Sequence, residues 1–434
     1  MRIAGAPPAT ASRLTPNQVY GFWAAWGGWT LDGMDSFIYA LVLVPALLDL
    51  LPRSGIPSST ATLGYYGGLL FALFLVGWGM SLVWGPVADR FGRVRTLALT
   101  ILCYSLFTLL SAFAQDAQAL AIFRFLAGLG IGGAWSMGGV FISEEWPEER
   151  RKMGAGLMHT GYYFGFFLAA LANYTVGSHW GWRAMFVVGG LPALLVAFIY
   201  RKVQEPVRWE AERARSLQKL KVPHAFLMLF SQKYRRRTVL NSIYLVVSIA
   251  GLWGGSVYVP AAVTELARRA GLSVAAGARL ASYSTALLAV GTILGCLALP
   301  LLAERLGRRA TQAIFFALML VFIVLAFGWV FYLRRGALQW FMACLFFLGL
   351  GGANFAMYTL WLPEQYPTEC RASAFAFTTS VGRFVGAGIT FLVGAGIRHY
   401  QTLGIPVALT AFAFVPGLLL LPLGEETKGK PLPA

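Results

Sequence analysis

Gly85-Pro86-Val87-Ala88-Asp89-Arg90-Phe91-Gly92-Arg93-Val94-Arg95 is a short charged turn set between two apolar stretches of the chain. It returns in weaker form as Ala303-Glu304-Arg305-Leu306-Gly307-Arg308, 215 residues later. Two further landmarks repeat at nearly the same offset. Gly130-Ile131-Gly132-Gly133-Ala134 matches Gly349-Leu350-Gly351-Gly352-Ala353 at an offset of 219, and Glu144, Pro147 and Arg151 match Glu364, Pro367 and Arg371 at 220. A period near half of the 434-residue length marks a duplicated unit. Parallel halves packed around a central site are one of the architectures of membrane carriers.

The composition fits a chain dissolved in lipid. Hydrophobic residues make up 58% and charged residues only 12%, where soluble domains carry about a quarter charged. Twelve stretches approach the roughly 20 apolar residues needed to cross a bilayer. They lie near 20–50, 64–88, 97–114, 119–143, 153–176, 183–201, 238–263, 279–303, 311–333, 338–361, 372–398 and 404–423. The fold class expected is all-α integral membrane, with twelve transmembrane helices in two parallel six-helix repeats. Residues 1–201 form the N-terminal bundle, 202–237 a cytoplasmic linker, and 238–434 the C-terminal bundle with a short tail. No short apolar segment with a cleavage site precedes span 1, so no signal peptide is expected.

The formal net charge of +17 would suggest nucleic acid on a soluble chain. Here it reads as topology. With the N-terminus inside, 25 Lys and Arg fall on the cytoplasmic side, 8 on the other, and Arg124 and Arg383 within spans. That bias places both termini in the cytoplasm of a multi-pass protein of the inner (plasma) membrane, with no nucleic-acid partner. Cys103, Cys296, Cys344 and Cys370 lie far apart without metal or disulfide spacing.

The turn at Gly85–Arg95, its copy after span 8 and the twelve spans resemble the major facilitator superfamily along nearly the whole chain. Within it, Asp32-Gly33-Met34-Asp35 is similar to the D-G-x-D of sialate, aromatic-acid and monocarboxylate proton symporters. Arg124–Gly133, Ser143–Arg151 and Leu362–Thr368 resemble the same group. Span 7 opens Asn241-Ser242-Ile243-Tyr244, without the His- and Gln-Asp-containing pattern of lactate-type relatives, which leaves the substrate open. The tail Glu426-Thr427-Lys428-Gly429-Lys430 resembles the end of sugar porters, which keeps sugars as an alternative. The resemblance implies that loop 2–3 latches the halves in one state. Asp89, Arg90, Arg93, Glu144 and Arg151 are accordingly expected to be gating residues.

A charge at the membrane centre costs roughly 2.5–3.5 kcal/mol on insertion scales, so such residues point to function. Among the 18 acids only Asp32 and Asp35 fall mid-span, three apart and hence on one helical face. A desolvated carboxylate pair suits proton carriage, and Arg124 on span 4 is the expected counter-charge. Arg383 lies about 11 residues into span 11, roughly 17 Å along a helix. No acid occupies the middle of a span in the C-terminal half, so Arg383 pairs across the centre, binds polar groups, or meets an anionic substrate. A guanidinium fork suits a carboxylate. Arg383, Arg124, Asn354, Tyr358, Trp361 and Tyr163, the repeat position of Arg383, are the candidate substrate contacts. His159 is expected to be a satisfied packing histidine.

The expected function is proton-coupled symport of a small organic anion by alternating access. Import follows from the resemblance, protons are the only coupling ion, no cofactor or metal is expected, and the carrier is monomeric. A sugar or drug carrier of the same fold, or a receptor that binds without transport, are the alternatives. No nucleotide loop, metal cluster or nucleophile constellation points to an enzyme.

Overall fold

The computed structural model describes residues 14–58, 60–216, 222–255 and 258–433. The sequence reading of the extreme N-terminus, with Arg2 and Arg13, lies outside these residues.

All the regular structure among the described residues is helical. The first half contains α1 (Pro16–Arg53), α2 (Thr60–Met80), α3 (Trp84–Phe91), α4 (Arg93–Ser111), α5 (Ala117–Glu145), α6 (Glu148–Ala172), α7 (Ser178–Gly189) and α8 (Ala193–Lys202). Two short helices, α9 (Val207–Ser216) and α10 (Val222–Met228), occupy the linker. The second half contains α11 (Arg235–Gly255), α12 (Val259–Arg269), α13 (Val274–Arg305), α14 (Arg308–Ile323), α15 (Ala337–Gly352), α16 (Asn354–Trp361), α17 (Arg371–Tyr400), α18 (Gly404–Thr410) and α19 (Phe414–Leu420).

Local chemistry starts these helices where the sequence breaks. Thr15 and Gln18 form a reciprocal capping box at the head of α1. The Asp116 side chain accepts from the amide of Ala119 at 2.7 Å to open α5, and Ser273 caps α13 in the same way. The charged turns that opened the sequence reading are sharp corners. Gly92 has φ 116° and Gly307 φ 87°, a region that favours glycine, so α3 and α4 are joined by one residue and α13 and α14 by two, Leu306 and Gly307.

Nine helical segments among the described residues are long and apolar enough to cross a bilayer. The helices α6, α11 and α17 are not among them, although they run for 25, 21 and 30 residues. Each carries polar side chains that the fold buries: Arg151, His159 and Thr160 on α6, Thr238, Asn241 and Ser248 on α11, and Thr378, Thr379, Ser380 and Arg383 on α17. The twelve-helix reading needs these three polar-faced helices in addition to the nine. The distribution of side chains is inverted relative to a soluble protein. Leu171, Leu194 and Leu419 are exposed while Asp32, Arg124 and Arg371 are fully buried, as expected where the outer solvent is hydrocarbon.

Within the first half α1 packs on α5 and α6, and α5 on α2 and α4; within the second, α13 packs on α15 and α11 on α17. The halves meet along α2 and α3 against α17, and along α6 against α13. These two seams exchange under the repeat, so the interface has the approximate two-fold relation that the sequence landmarks require.

Candidate functional site

The acid pair of α1 divides into two unlike carboxylates. Asp35 is held on both oxygens. Thr108 of α4 donates to Oδ1 at 2.8 Å, and Arg124 of α5 lies 3.4 Å from Oδ2. Arg124 also donates from Nε to Ser111 at 3.2 Å, and its guanidinium lies over the rings of Phe186 and Tyr39 at 4.9 and 5.4 Å. The expected partner of Arg124 is thus Asp35 in this structure. Asp32, one helical turn away and equally buried, has no hydrogen bond to either oxygen among the described residues. The Tyr104 hydroxyl stands beside it, and the charges of Asp35 and Arg383 act on it.

Arg383 comes from α17 in the other half. It is 5% exposed and makes no ion pair or hydrogen bond among the described residues, with Nη1 buried and unpartnered. Its guanidinium lies over the rings of Trp78 and Trp135 at 4.5 and 5.6 Å. Such stacking holds a cation in place without neutralising it.

Trp135 is the centre of an aromatic cluster drawn from both halves. Its Nε1 donates to Thr359 of α16 at 2.9 Å. Trp29 stacks on it at 5.4 Å, and Tyr162 lies 4.7 Å from Trp29. His159, Phe355 and Phe375 complete the surround. Trp29, Trp135, His159, Phe355 and Phe375 are all buried.

The other expected contacts are dispersed. Tyr163 stands beside His159 at 6.2 Å, facing α13 near Cys296 and Thr292. Asn354 is buried, with Nδ2 bound to the carbonyl of Gly351 and Oδ1 unpartnered. Tyr358 spends its hydroxyl inside the second half, donating to the carbonyl of Tyr244 at 2.7 Å and accepting from Gln312 at 3.1 Å. Trp361 lies apart from the aromatic cluster. It stacks on Tyr244 and its Nε1 donates to the carbonyl of Glu425 in the tail at 2.8 Å, so it packs away from the aromatic cluster. Periodicity put Tyr358 and Trp361 beside Asn354, but their side chains serve helix and tail packing. Trp29, Trp78, Trp135, Tyr162 and Phe355 were not singled out, because in a chain that is 15% aromatic no single ring stands out.

A second cluster closes the face that carries the charged turns. Asp89 at the end of α3 accepts from the first amides of α17, Ala372 at 3.2 Å and Ser373 at 2.9 Å, and from the Ser373 hydroxyl at 2.6 Å. A carboxylate at a helix N-terminus is stabilised by the unsatisfied amides there. Arg93, fully buried, lies 3.2 Å from Asp89 and 3.0 Å from Glu144, and donates to the carbonyl of Thr368 across the seam at 2.7 Å. Glu144 also receives Arg371 of the second half. Glu364 receives Arg308 of its own half and Arg151 of the first. Arg90 stands outside this cluster. It is exposed, with its guanidinium over the neighbouring Phe91 ring at 5.2 Å, because its helical position faces away from the seam.

Two carboxylates that the sequence reading missed complete each corner. Glu205 accepts from the amides of Arg93, Val94 and Arg95 at 2.7, 3.0 and 3.0 Å. Glu426 accepts from Arg308 and Arg309 at 3.0 and 3.2 Å. They cap α4 and α14, and an added Cβ at Gly92 or Gly307 would collide with them, a second reason for glycine there. Their spacing of 221 residues matches the repeat and was the available signal. Burial pushes the Glu205 carboxyl up, against the pull of its three amides. Burial would also raise Glu426, but the amides of Arg308, Lys428 and Arg309 outweigh it and hold that carboxyl below the usual glutamate value.

The family model of the Major Facilitator Superfamily matches residues 25–390. A "probable 4-methylmuconolactone transporter" of Cupriavidus pinatubonensis is 31% identical over 432 residues, covering 96% of this chain and 92% of that protein. The niacin transporter NiaP of Acinetobacter baylyi is 28% identical, with 94% of each chain covered. Among solved structures, the proton:xylose symporter XylE bound to 6-bromo-6-deoxy-D-glucose superposes with a TM-score of 0.79 at 18% identity, covering 96% of this chain and 98% of that one.

Proposed function

The chain belongs to the major facilitator superfamily, and on that premise we propose that it carries a small organic anion, a carboxylate, together with a proton into the cell. It is a multi-pass membrane transporter and not an enzyme. Both termini and the gate of Asp89, Arg93 and Glu144 lie on the cytoplasmic side, and the carrier works as a monomer in the inner membrane.

One observation carries the anion reading: Arg383 is a buried guanidinium with no ion pair or hydrogen bond among the described residues, the charge of Asp32 acting on it only from beyond contact. A carboxylate seated on its fork would supply the charge that the fold omits. Relatives named for 4-methylmuconolactone and niacin transport agree with a small organic solute. The proton reading rests on the unequal acids. Asp35 is committed to Arg124 and Thr108, while Asp32 has no ion pair and only the Tyr104 hydroxyl beside it, so Asp32 is the group that can exchange a proton during the cycle. Asp32 and Arg383 act on one another across the seam, so an arriving anion and an arriving proton would favour each other's binding.

The cycle follows from the two seams. With the gate formed, the halves are joined at the cytoplasmic end; substrate and proton reach the centre from the other side and the aromatic cluster closes over them. Breaking the gate then rocks the halves and releases both inside. The test is uptake into proteoliposomes carrying an inward proton gradient, with a panel of aromatic acids, short monocarboxylates, sialic acid and sugars. Gradient-driven accumulation of a carboxylate is expected. Accumulation of sugars alone, or uptake indifferent to the gradient, overturns the anion or the proton part respectively.

A further inference from the structure

The aromatic cluster contains two buried polar atoms that the carboxylate reading leaves unused, Nε1 of Trp29, which can only donate, and Nδ1 of His159. His159 on α6 is 3% exposed, and its Nδ1 has no hydrogen-bond partner among the described residues. Four rings fix the imidazole: Trp135 at 5.7 Å, Trp29 at 5.9 Å, Tyr163 at 6.2 Å, and Phe355 of the opposite half at 6.3 Å and nearly parallel. A residue needed only for packing here would be phenylalanine, because a buried nitrogen without a partner costs free energy that a ring carbon does not.

The imidazole also has a defined relation to the proposed anion site. Trp135 touches both groups, with Arg383 over its ring at 5.6 Å and His159 at 5.7 Å. One tryptophan therefore joins a cation suited to a carboxylate and a neutral ring whose free nitrogen can give or take a hydrogen bond. The surfaces between them are aromatic, which favours a flat, unsaturated body over a puckered one.

We propose that His159 reads a second polar group on the substrate. The substrate class is then a planar unsaturated carboxylate whose acid meets Arg383 and whose far end carries a hydroxyl, carbonyl or ring nitrogen that bonds to Nδ1 of His159. The proposal rests on the carboxylate reading of Arg383. It makes His159 a specificity residue rather than a proton carrier, and it gives the first half a direct hold on the end of the substrate that the second half does not bind.

Binding of benzoate, 3-hydroxybenzoate and 4-hydroxybenzoate to the purified carrier, followed by tryptophan fluorescence, tests it. At least one hydroxybenzoate is expected to bind about tenfold more tightly than benzoate, the size of one added hydrogen bond in a dry site. His159→Phe should abolish that preference and leave benzoate binding intact, while His159→Gln, which keeps a hydrogen-bonding group, should retain most of it. Equal binding of all three acids by the native protein, or a preference that survives His159→Phe, overturns the proposal. Loss of benzoate binding in both variants assigns His159 to packing and overturns it as well. Arg383→Gln separates the two readings: it should weaken all three acids together and leave their ratio unchanged. If no carboxylate binds the native protein, the anion reading itself fails.

Discussion

Glu144 and Glu364 hold matching partners in the two halves. Glu144 binds Arg93 of its own half at 3.0 Å and Arg371 of the other at 2.7 Å; Glu364 binds Arg308 of its own half at 2.7 Å and Arg151 of the other at 3.7 Å. The cross-seam contact is the shorter at Glu144, where both side chains are fully buried. Removing one member of a buried pair costs about 3–5 kcal/mol. Arg371→Ala should therefore open the face that carries the charged turns far more than Arg151→Ala, read as labelling of a cysteine placed beneath these ion pairs. Equal labelling of the two variants would contradict the ranking.

Asp89 is the other cross-seam anchor, through Ala372 and Ser373. Asp89→Asn keeps the shape but removes the charge that meets the amides of α17. A carboxylate at a helix N-terminus contributes roughly 0.3–1 kcal/mol at an exposed site and up to about 2 in a buried one. The variant should favour the inward-open state several-fold, seen as altered distances between spin labels on the two halves, with little change in thermal stability.

The acids of α1 should respond differently to the same substitution. Asp32→Asn breaks no ion pair of this structure and keeps an oxygen for the Tyr104 hydroxyl, so thermal stability should stay within about 1 kcal/mol of the native protein. Proton-driven accumulation should disappear while substrate exchange between equal pools persists. Asp35→Asn strips Arg124 of its counter-charge and should lower stability by about 3–5 kcal/mol. Intact accumulation in Asp32→Asn would falsify its role as proton carrier.

Arg383→Ala removes the only cation placed at the aromatic cluster among the described residues. Charge-assisted hydrogen bonds are worth about 1.5–3 kcal/mol, so carboxylate affinity should fall roughly ten- to hundredfold. The corresponding amide should bind with nearly unchanged affinity. A parallel loss for acid and amide would point to collapse of the Trp78 and Trp135 packing.

Glu426 sets a pH dependence at the gate. Its carboxyl lies below the ordinary 4.5 in the folded protein. The stability it contributes is therefore present above pH 4.5 and is lost as the pH falls through its lower folded value. Melting temperature measured from neutral to acid pH should fall less steeply in Glu426→Gln than in the native carrier. Glu205, shifted the other way by burial, contributes with the opposite sign: its share is present below 4.5 and is lost as the pH rises through its higher folded value. Glu205→Gln should not reproduce the flattening.

The repeat made the frame of the molecule legible, because duplicated motifs must occupy equivalent corners. Gly92 and Gly307 show why those motifs contain glycine, and Glu144, Arg151, Glu364 and Arg371 were identifiable as a set by offset alone. The isolated charges Asp32, Asp35, Arg124 and Arg383 were legible because so few charges lie mid-span. Their pairing was not, since Asp32 and Asp35 share a face and only the positions of Thr108 and Ser111 decide which one Arg124 meets. The aromatic cluster was hidden by the abundance of rings, and the place of Trp361 was not legible because helical spacing does not say whether a side chain turns to the centre or to the tail. His159 looked like a satisfied histidine; only a three-dimensional surround could show Nδ1 left over.

The exchanged partners at Glu144 and Glu364 bear on how such a gate can open quickly. When the halves part, neither glutamate is stranded, because Arg93 and Arg308 travel with them as members of the same rigid body. The groups that lose partners are the guanidiniums of Arg151 and Arg371 and the carboxylate of Asp89, which leaves the amides of Ala372 and Ser373 but keeps Arg93. Each glutamate thus keeps an arginine of its own half through the turnover, and the charges newly offered to water are two cations and one acid that still has a cation beside it.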